Sequence, residues 1–279
     1  MSTFALGGEL RVNRLGFGAM RLTGPGIWGE PEDRKECKAV LRRALELGVN
    51  FIDTADSYGP VVSEEIIAEA LYPYPEDLVI ATKGGFLRPG PGRWDSDGRP
   101  EHLREACEGS LRRLKLDRID LYQLHSPDPK VPYDVSVSAL KELQDEGKIR
   151  LIGVSNVSTD LLDTARSIAD VVSVQNRYNL SDRFAEDVLE VSERDGLGFI
   201  PWFPLAVGRL AEPGGPLDEI AAAHGATPSQ VALAWLLQRS PSMLPIPGTS
   251  SVQHLEENMA AARIELSEDE LEALSRISV

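Results

Sequence analysis

Short apolar runs alternate with amphipathic helical stretches along the whole chain, and eight strand–helix units can be counted. The predicted strands are 15–18, 50–53, 78–83, 119–124, 149–154, 171–175, 198–202 and 243–246. The helices that follow them are expected at 31–47, 63–71, 101–114, 135–146, 160–169, 183–195, 228–238 and 252–261, with a short extra helix at 217–223 before the seventh. The spacing is roughly thirty residues, the size of one strand plus its crossover helix. Strands separated by helices pair in parallel, and eight such units close into an α/β (β/α)8 TIM barrel. The units share no repeated sequence, so the period is architectural.

Two segments fall outside the eight units. Residues 4–14 read as an N-terminal β-hairpin turning at Gly7-Gly8, expected to plug the barrel floor. Residues 266–277 open with Ser267-Glu268-Asp269-Glu270, a helix start with early acidic residues, and predict an extra C-terminal helix on the outside. No Ser/Gly-rich or Pro-rich linker divides the chain, which predicts one barrel domain over 1–279. Residues 86–100 are rich in Gly and Pro but directly follow Lys83, so they read as a loop at the barrel rim.

Composition narrows the function classes. With 279 residues, 42% apolar and 26% charged, the chain suits an ordinary globular protein. A net charge of -15 argues against nucleic acid as a partner. The two cysteines, Cys37 and Cys107, sit in helix-like segments without metal-type spacing and read as reduced, partly buried thiols. No apolar run approaches membrane-spanning length, and residues 1–9 lack a signal-peptide core. The expectation is a cytoplasmic protein without a membrane partner.

Barrel enzymes keep their chemistry at the rim formed by the C-terminal strand ends. Asp53, Lys83 and His125 each follow an apolar run, at the ends of the second, third and fourth strands. Tyr58 lies five residues beyond Asp53. Neighbouring strands are about 4.8 Å apart, so these groups can surround one carbonyl oxygen. A phenol titrates near ~10, and an adjacent ammonium lowers that value. Lys83 can supply the ammonium, Asp53 can hold Lys83, and His125 can bond the substrate oxygen. Singly, each residue is more readily a cap, a turn, a rim charge or a structural histidine. Jointly they form a proton-donating site without a nucleophile or a metal cage, suited to carbonyl reduction by a hydride donor.

The later strand ends carry Ser155, Asn156 and Gln175, which offer donors and acceptors to a carboxamide, and Trp202, which can stack on a flat ring. After the eighth strand, Pro247-Gly248-Thr249-Ser250-Ser251 leads hydroxyls into a helix N-terminus, a suitable anion site.

The chain resembles the aldo-keto reductase superfamily from end to end. The resemblance is carried by Leu15-Gly16-Phe17-Gly18-Ala19-Met20, Phe51-Ile52-Asp53-Thr54-Ala55-Asp56-Ser57-Tyr58-Gly59, Ala81-Thr82-Lys83, Leu124-His125-Ser126-Pro127, Ile152-Gly153-Val154-Ser155-Asn156, Gln175 with Tyr178-Asn179, and Ile246-Pro247-Gly248-Thr249 through Glu257-Asn258. It implies metal-free, NADPH-dependent reduction of aldehydes or ketones. Tyr58 would be the proton donor, Asp53 and Lys83 the pair that tunes it, and His125 the substrate-orienting group. The implied cofactor contacts are Gly18, Met20, Asp53, Ser155, Asn156, Gln175, Trp202, Leu205, Gly248, Thr249, Ser250, Ser251, His254, Glu257 and Asn258. Where the family often carries basic residues, this chain has Gly248 and His254, so the loop hydroxyls would hold a 2′-phosphate and NADH stays open as an alternative.

The resemblance further implies a monomer, and substrate contacts from Trp28, Tyr58, Phe86, His125, the loop 86–100 and the segment after His125. The loop 206–216 is short and the chain ends soon after its last helix, so an open pocket is expected. Among bacterial branches the chain is similar to small pyridoxal reductases, through Gly24-Pro25-Gly26, Ala70-Leu71-Tyr72-Pro73-Tyr74 and 226–241. Pyridoxal is therefore a candidate substrate. Two other readings compete: a cofactor-binding regulatory subunit with little turnover, and a lyase using Lys83 as nucleophile.

Overall fold

The computed structural model describes residues 2–205 and 215–277. A hairpin of β1 (Thr3–Leu6) and β2 (Leu10–Asn13) comes first, with Phe4 opposite Val12. Seven strands then pair in parallel: β3 (Phe17–Gly18), β4 (Phe51–Asp53), β5 (Val79–Gly84), β8 (Ile119–Leu124), β9 (Ile149–Ser155), β10 (Val171–Gln175) and β11 (Gly198–Phe199). Between β5 and β8 the Gly/Pro-rich segment forms a small antiparallel hairpin, β6 (Phe86–Leu87) and β7 (Asp95–Ser96).

The outer helices are α1 (Arg34–Glu46), α2 (Val62–Leu71), α3 (Pro100–Leu114), α4 (Tyr133–Asp145), α5 (Thr159–Arg166), α6 (Glu186–Asp195), α7 (Pro216–Ala223), α8 (Pro228–Arg239), α9 (Val252–Ala260) and α10 (Glu268–Ser275). Their sequences explain them. In α3, Leu103, Ala106, Cys107, Ser110 and Leu114 recur at helical spacing and are the buried face. α8 and α10 start with reciprocal capping boxes, Thr227 with Gln230 and Ser267 with Glu270. α10 packs on α7 and α8, and the Trp235 indole donates to Ser275 Oγ at 3.1 Å. Both cysteines are buried and free, and burial pushes the Cys107 thiol up to about 12.

The eighth strand departs from expectation. Residues 243–247 occupy the gap between β11 and β3 but form no regular ladder. Phe199 N donates to Ser242 O and Leu244 N to Phe199 O, each at 2.8 Å. On the other side, Gly16 N reaches Pro245 O at 2.9 Å and Gly18 N reaches Pro247 O at 3.5 Å. Pro245 and Pro247 have no N–H to give, so the seam accepts bonds from β3 without returning them. The barrel is closed all the same. At this seam Gly18 is required, because a Cβ there would meet Ile246 O at 2.5 Å.

The first and seventh strands are also shorter than 15–18 and 198–202, ending up as two regular residues each. Of the loop predicted at 206–216, residues 206–214 lie outside those described.

Inside the barrel, Phe51, Val79, Leu121, Leu151, Val172, Ile200, Leu244 and Ile246 pack with Leu6 and Val12 of the hairpin. The hairpin therefore plugs the floor, as expected. Among the described residues, no helix is long and apolar enough to cross a membrane.

Candidate active site

Strand alternation builds the site directly on the barrel core. Phe51 and Asp53 face inward from β4. Val79, Ala81 and Lys83 do so from β5. Leu121 and Gln123 do so from β8, with His125 just beyond it. The apolar members fill the barrel, and the last polar members surface at its C-terminal rim. Lys83 pairs in register with Gln123, two residues beyond the Asp53–Ala81 pair.

Lys83 is fully buried. Its Nζ donates to Asp53 Oδ1 at 2.6 Å, to Thr54 O at 2.8 Å and to Tyr58 Oη at 3.3 Å. All three ammonium protons thus have acceptors. Asp53 Oδ2 accepts from Gln123 Nε2 at 3.0 Å and from Gln175 Nε2 at 2.8 Å. A buried ion pair holds only when its remaining bonding capacity is met in this way.

The loop after β4 turns Tyr58 back over Lys83. Tyr58 N bonds Ala55 O, Val61 N bonds Asp56 O at 2.7 Å, and Ser63 N bonds Tyr58 O. Gly59 makes the turn at φ +102, and a Cβ there would strike Val62 Cβ at 2.5 Å. The ring of Tyr58 meets His125 edge-on at 5.8 Å. Ser57 Oγ lies 3.4 Å from His125 Nδ1.

The electrostatics correct one expectation. Burial raises the Tyr58 phenol above its ordinary value and Asp53 adds to this, while Lys83 opposes both without reversing them. The phenol is not lowered overall, because removing it from water costs the phenolate more than one ammonium returns. Burial alone would lower Lys83, but Asp53 and Tyr58 hold it above its ordinary value. Burial, then Lys83 and Arg88, hold His125 well below the usual imidazole range. At neutral pH the site therefore contains an ammonium, a phenol and a neutral imidazole.

A cleft opens beside Tyr58. Gly18, Met20, Asp53, Gln175, Trp202, Leu205 and Gly248 line it, as do Arg21, Phe203, Pro204 and Ile246, which sequence reading did not single out. Asn156, in the left-handed region at φ 60, accepts from Trp202 Nε1 at 2.9 Å and fixes the indole. Its Nδ2 donates to His125 O and to Ser155 Oγ, and Ser155 Oγ donates to Gln175 O at 2.7 Å. Gln175 Nε2 is turned to Asp53 and Gln123. The donors of these side chains are already taken within the protein, so what Asn156 Oδ1 and Gln175 Oε1 can offer a carboxamide is acceptors.

The remaining predicted cofactor residues run on from Gly248. Thr249 Oγ1 accepts from Ser251 N at 3.1 Å, and Ser251 caps α9. Ser250, His254 and Glu257 lie on or beside the first turns of α9, and Asn258 is buried there. Trp28 bridges Gly59, and Phe86 stands 4.6 Å from His125 by ring centroids.

Other functional candidates escaped sequence reading. Gln123 could have been found, since it precedes His125 by two and so shares its face. Arg88 and Trp94 lie within the loop 86–100 expected to contact substrate, but its lack of periodicity singles out neither; the folded hairpin brings Trp94 to Tyr58 and His125 and Arg88 to Ser57 O.

A model of the aldo/keto reductase family matches residues 14–279. The chain belongs to this family. Among curated relatives of this aldo-keto reductase, an uncharacterized oxidoreductase of Schizosaccharomyces pombe is 54% identical over 94% of the chain and 85% of its own length. Pyridoxine 4-dehydrogenase of Escherichia coli is 47% identical over 99% of the chain and 98% of its own. Among solved structures, a thermostable aldo-keto reductase crystallised with the inhibitor epalrestat superposes with TM-score 0.84 at 35% identity, over 99% of both chains. An aldo-keto reductase from Klebsiella pneumoniae in complex with NADPH gives TM-score 0.83 at 31% identity, over 99% of this chain and 94% of its own. The chain is thus an aldo-keto reductase by sequence and by fold, and an oxidoreductase by family.

Proposed function

We propose that this aldo-keto reductase reduces aldehydes and ketones to alcohols with NADPH, that Tyr58 gives the proton, and that pyridoxal is among its substrates. One observation carries the reading: Lys83, held by Asp53, touches the Tyr58 hydroxyl at 3.3 Å.

The cleft fits a nicotinamide cofactor. Met20, Leu205 and Ile246 give apolar walls, Trp202 is held by an edge and leaves a ring face, and Gln175 and the nearby Asn156 carry oxygens that could accept from a carboxamide. Hydroxyls at Thr249, Ser250 and Ser251 before α9 fit a phosphate. When bound, NADPH supplies the hydride. The structures of relatives with NADPH and with NADP support that choice of cofactor.

The chain's own residues do the rest. Ser57 Oγ lies 3.4 Å from His125 Nδ1; in the tautomer this role requires, the hydroxyl donates to Nδ1 and the ring proton on Nε2 bonds the substrate carbonyl oxygen. His125 stays neutral and orients. Tyr58 transfers its proton to that oxygen as negative charge develops on it. An alkoxide is far more basic than a phenolate, so a phenol raised by burial still gives up its proton. Lys83 then stabilises the phenolate through the same contact. Asp53, with Gln123 and Gln175, keeps Lys83 charged and aimed. A charged ammonium has no free electron pair, which argues against the lyase reading.

Identity to pyridoxine 4-dehydrogenase supports pyridoxal, the aldehyde formed when pyridoxine is oxidised at that carbon. Phe86 and Trp94 beside His125 make a flat-sided wall suited to an aromatic aldehyde. The test is NADPH and NADH consumption against a panel containing pyridoxal, nitrobenzaldehyde, methylglyoxal and a steroid ketone. Turnover with NADPH and preference for pyridoxal are expected. Cofactor binding without turnover on any member would return the reading to a regulatory subunit.

A further inference from the structure

The substrate side of the site holds a second buried cation that the proposed chemistry does not use. Arg88 is only 9% exposed, and no carboxylate pairs with it among the described residues. Its guanidinium is instead spread over three loops. Nη1 donates to Ser57 O at 2.8 Å, in the loop that carries Tyr58. Nη2 donates to Gly26 O at 3.2 Å, in the loop before α1. Nε donates to Arg93 O at 2.8 Å, within the β6–β7 hairpin. One face of the guanidinium lies 3.6 Å from the Trp94 ring centroid, and Trp28 stands at 5.7 Å. Trp94 in turn meets Tyr58 at 6.3 Å and His125 at 6.2 Å, and Phe86 at 5.4 Å.

A buried guanidinium without an anion is costly, and three carbonyls plus a stacked indole offset that cost only in this arrangement. A planar fork presents its donors from three separate nitrogens in fixed directions and stacks on an indole, which a lysine ammonium, with its three donors on one atom, does not reproduce. The bond to Ser57 O fixes the peptide immediately before Tyr58. The stacked face fixes the indole that borders Tyr58 and His125. We infer that Arg88 is a positioning residue for the reduction: it clasps the tyrosine loop to the β6–β7 hairpin and sets the width of the aromatic wall where the carbonyl enters. The inference rests on the reading of Tyr58 as proton donor.

The test uses the full chain with Arg88→Met and Arg88→Lys. Rates are measured with one small aldehyde and one bulky aromatic ketone, and NADPH affinity is followed by fluorescence. Both variants should lose about tenfold in kcat/KM on the small aldehyde, while the bulky-to-small ratio rises several-fold and NADPH affinity stays within about twofold of wild type. Trp94→Leu, which keeps all three carbonyl bonds, should reproduce the shift in ratio with a smaller fall in kcat. If Arg88→Met fails to fold, Arg88→Lys and Trp94→Leu carry the test. Three results would overturn the inference: an unchanged ratio in all variants, full recovery by lysine, or a loss on the small aldehyde confined to KM. Absence of turnover in the wild type is a separate result that removes the proposed function instead.

Discussion

The ammonium of Lys83 stands between two oxygens, 2.6 Å from Asp53 Oδ1 and 3.3 Å from Tyr58 Oη. It is the link between the barrel's buried charge and Tyr58, the proposed proton donor. Asp53→Asn would leave Lys83 buried without its counter-charge. Breaking a buried pair from one side costs about 3–5 kcal/mol. Denaturant unfolding should therefore show a loss of that order, together with a large fall in reductase rate. A variant as stable and as active as wild type would mean that the pair carries neither role.

The barrel seam gives a second prediction. Gly18 faces Ile246 O, where a Cβ would come within 2.5 Å, and the obstacle is backbone. Gly18→Ala must push β3 away from residues 243–247. Overpacking of this kind costs about 1–3 kcal/mol. Because Gly18 also lines the cleft, NADPH affinity should fall with it. Thermal unfolding with and without NADPH reads both effects, and an unshifted melting temperature would show that the seam yields freely.

Asp56 predicts a pH effect on stability. It is buried with Oδ1 unpartnered among the described residues. Burial, then the charge of Glu64, push its carboxyl from 3.8 up to about 8. Below the unfolded value both states hold the proton. As pH rises from there, the unfolded chain ionises while the folded chain keeps its proton, so the stabilisation is lost progressively and is gone above about 8. Asp56→Asn removes this slope. The variant's advantage in melting temperature should grow between mildly acidic and mildly basic pH. A constant difference would place Asp56 in a setting that does not favour its neutral form.

The tether on Trp202 is a single hydrogen bond from its indole to Asn156 Oδ1 at 2.9 Å. Asn156→Gly keeps the positive φ but frees the indole. Loss of one such bond is worth about 1 kcal/mol, or roughly fivefold in affinity. NADPH titration should show that weakening. Unchanged binding would mean that the indole is held by other contacts or does not touch the cofactor.

The parts of this molecule that follow a period could be read directly. The helical spacing of α3, the hairpin turn at Gly7-Gly8, and the inward alternation that places Asp53 and Lys83 on one rim all depend on local pattern. The eighth strand was recognisable as an apolar run, but its ladder was not, because Pro245 and Pro247 withhold donors and the bonds depend on β3 and β11. Arg88 was hidden for a different reason. It sits in a Gly/Pro-rich stretch, and its partners are backbone carbonyls, which carry no residue signature. The sign of the Tyr58 shift was misjudged because Lys83 could be placed from the sequence while the desolvation of the phenol could not.

The most direct test of the account is Tyr58→Phe, measured for NADPH affinity and for NADPH oxidation with the best aldehyde of the panel. The substitution removes one hydroxyl and leaves Asp53 bonded to Lys83. Removing a general acid costs about a hundredfold or more in kcat, so reduction should fall at least that far while NADPH binding is nearly unchanged. Turnover at the wild-type rate would contradict the account and take the proton-donor role away from Tyr58.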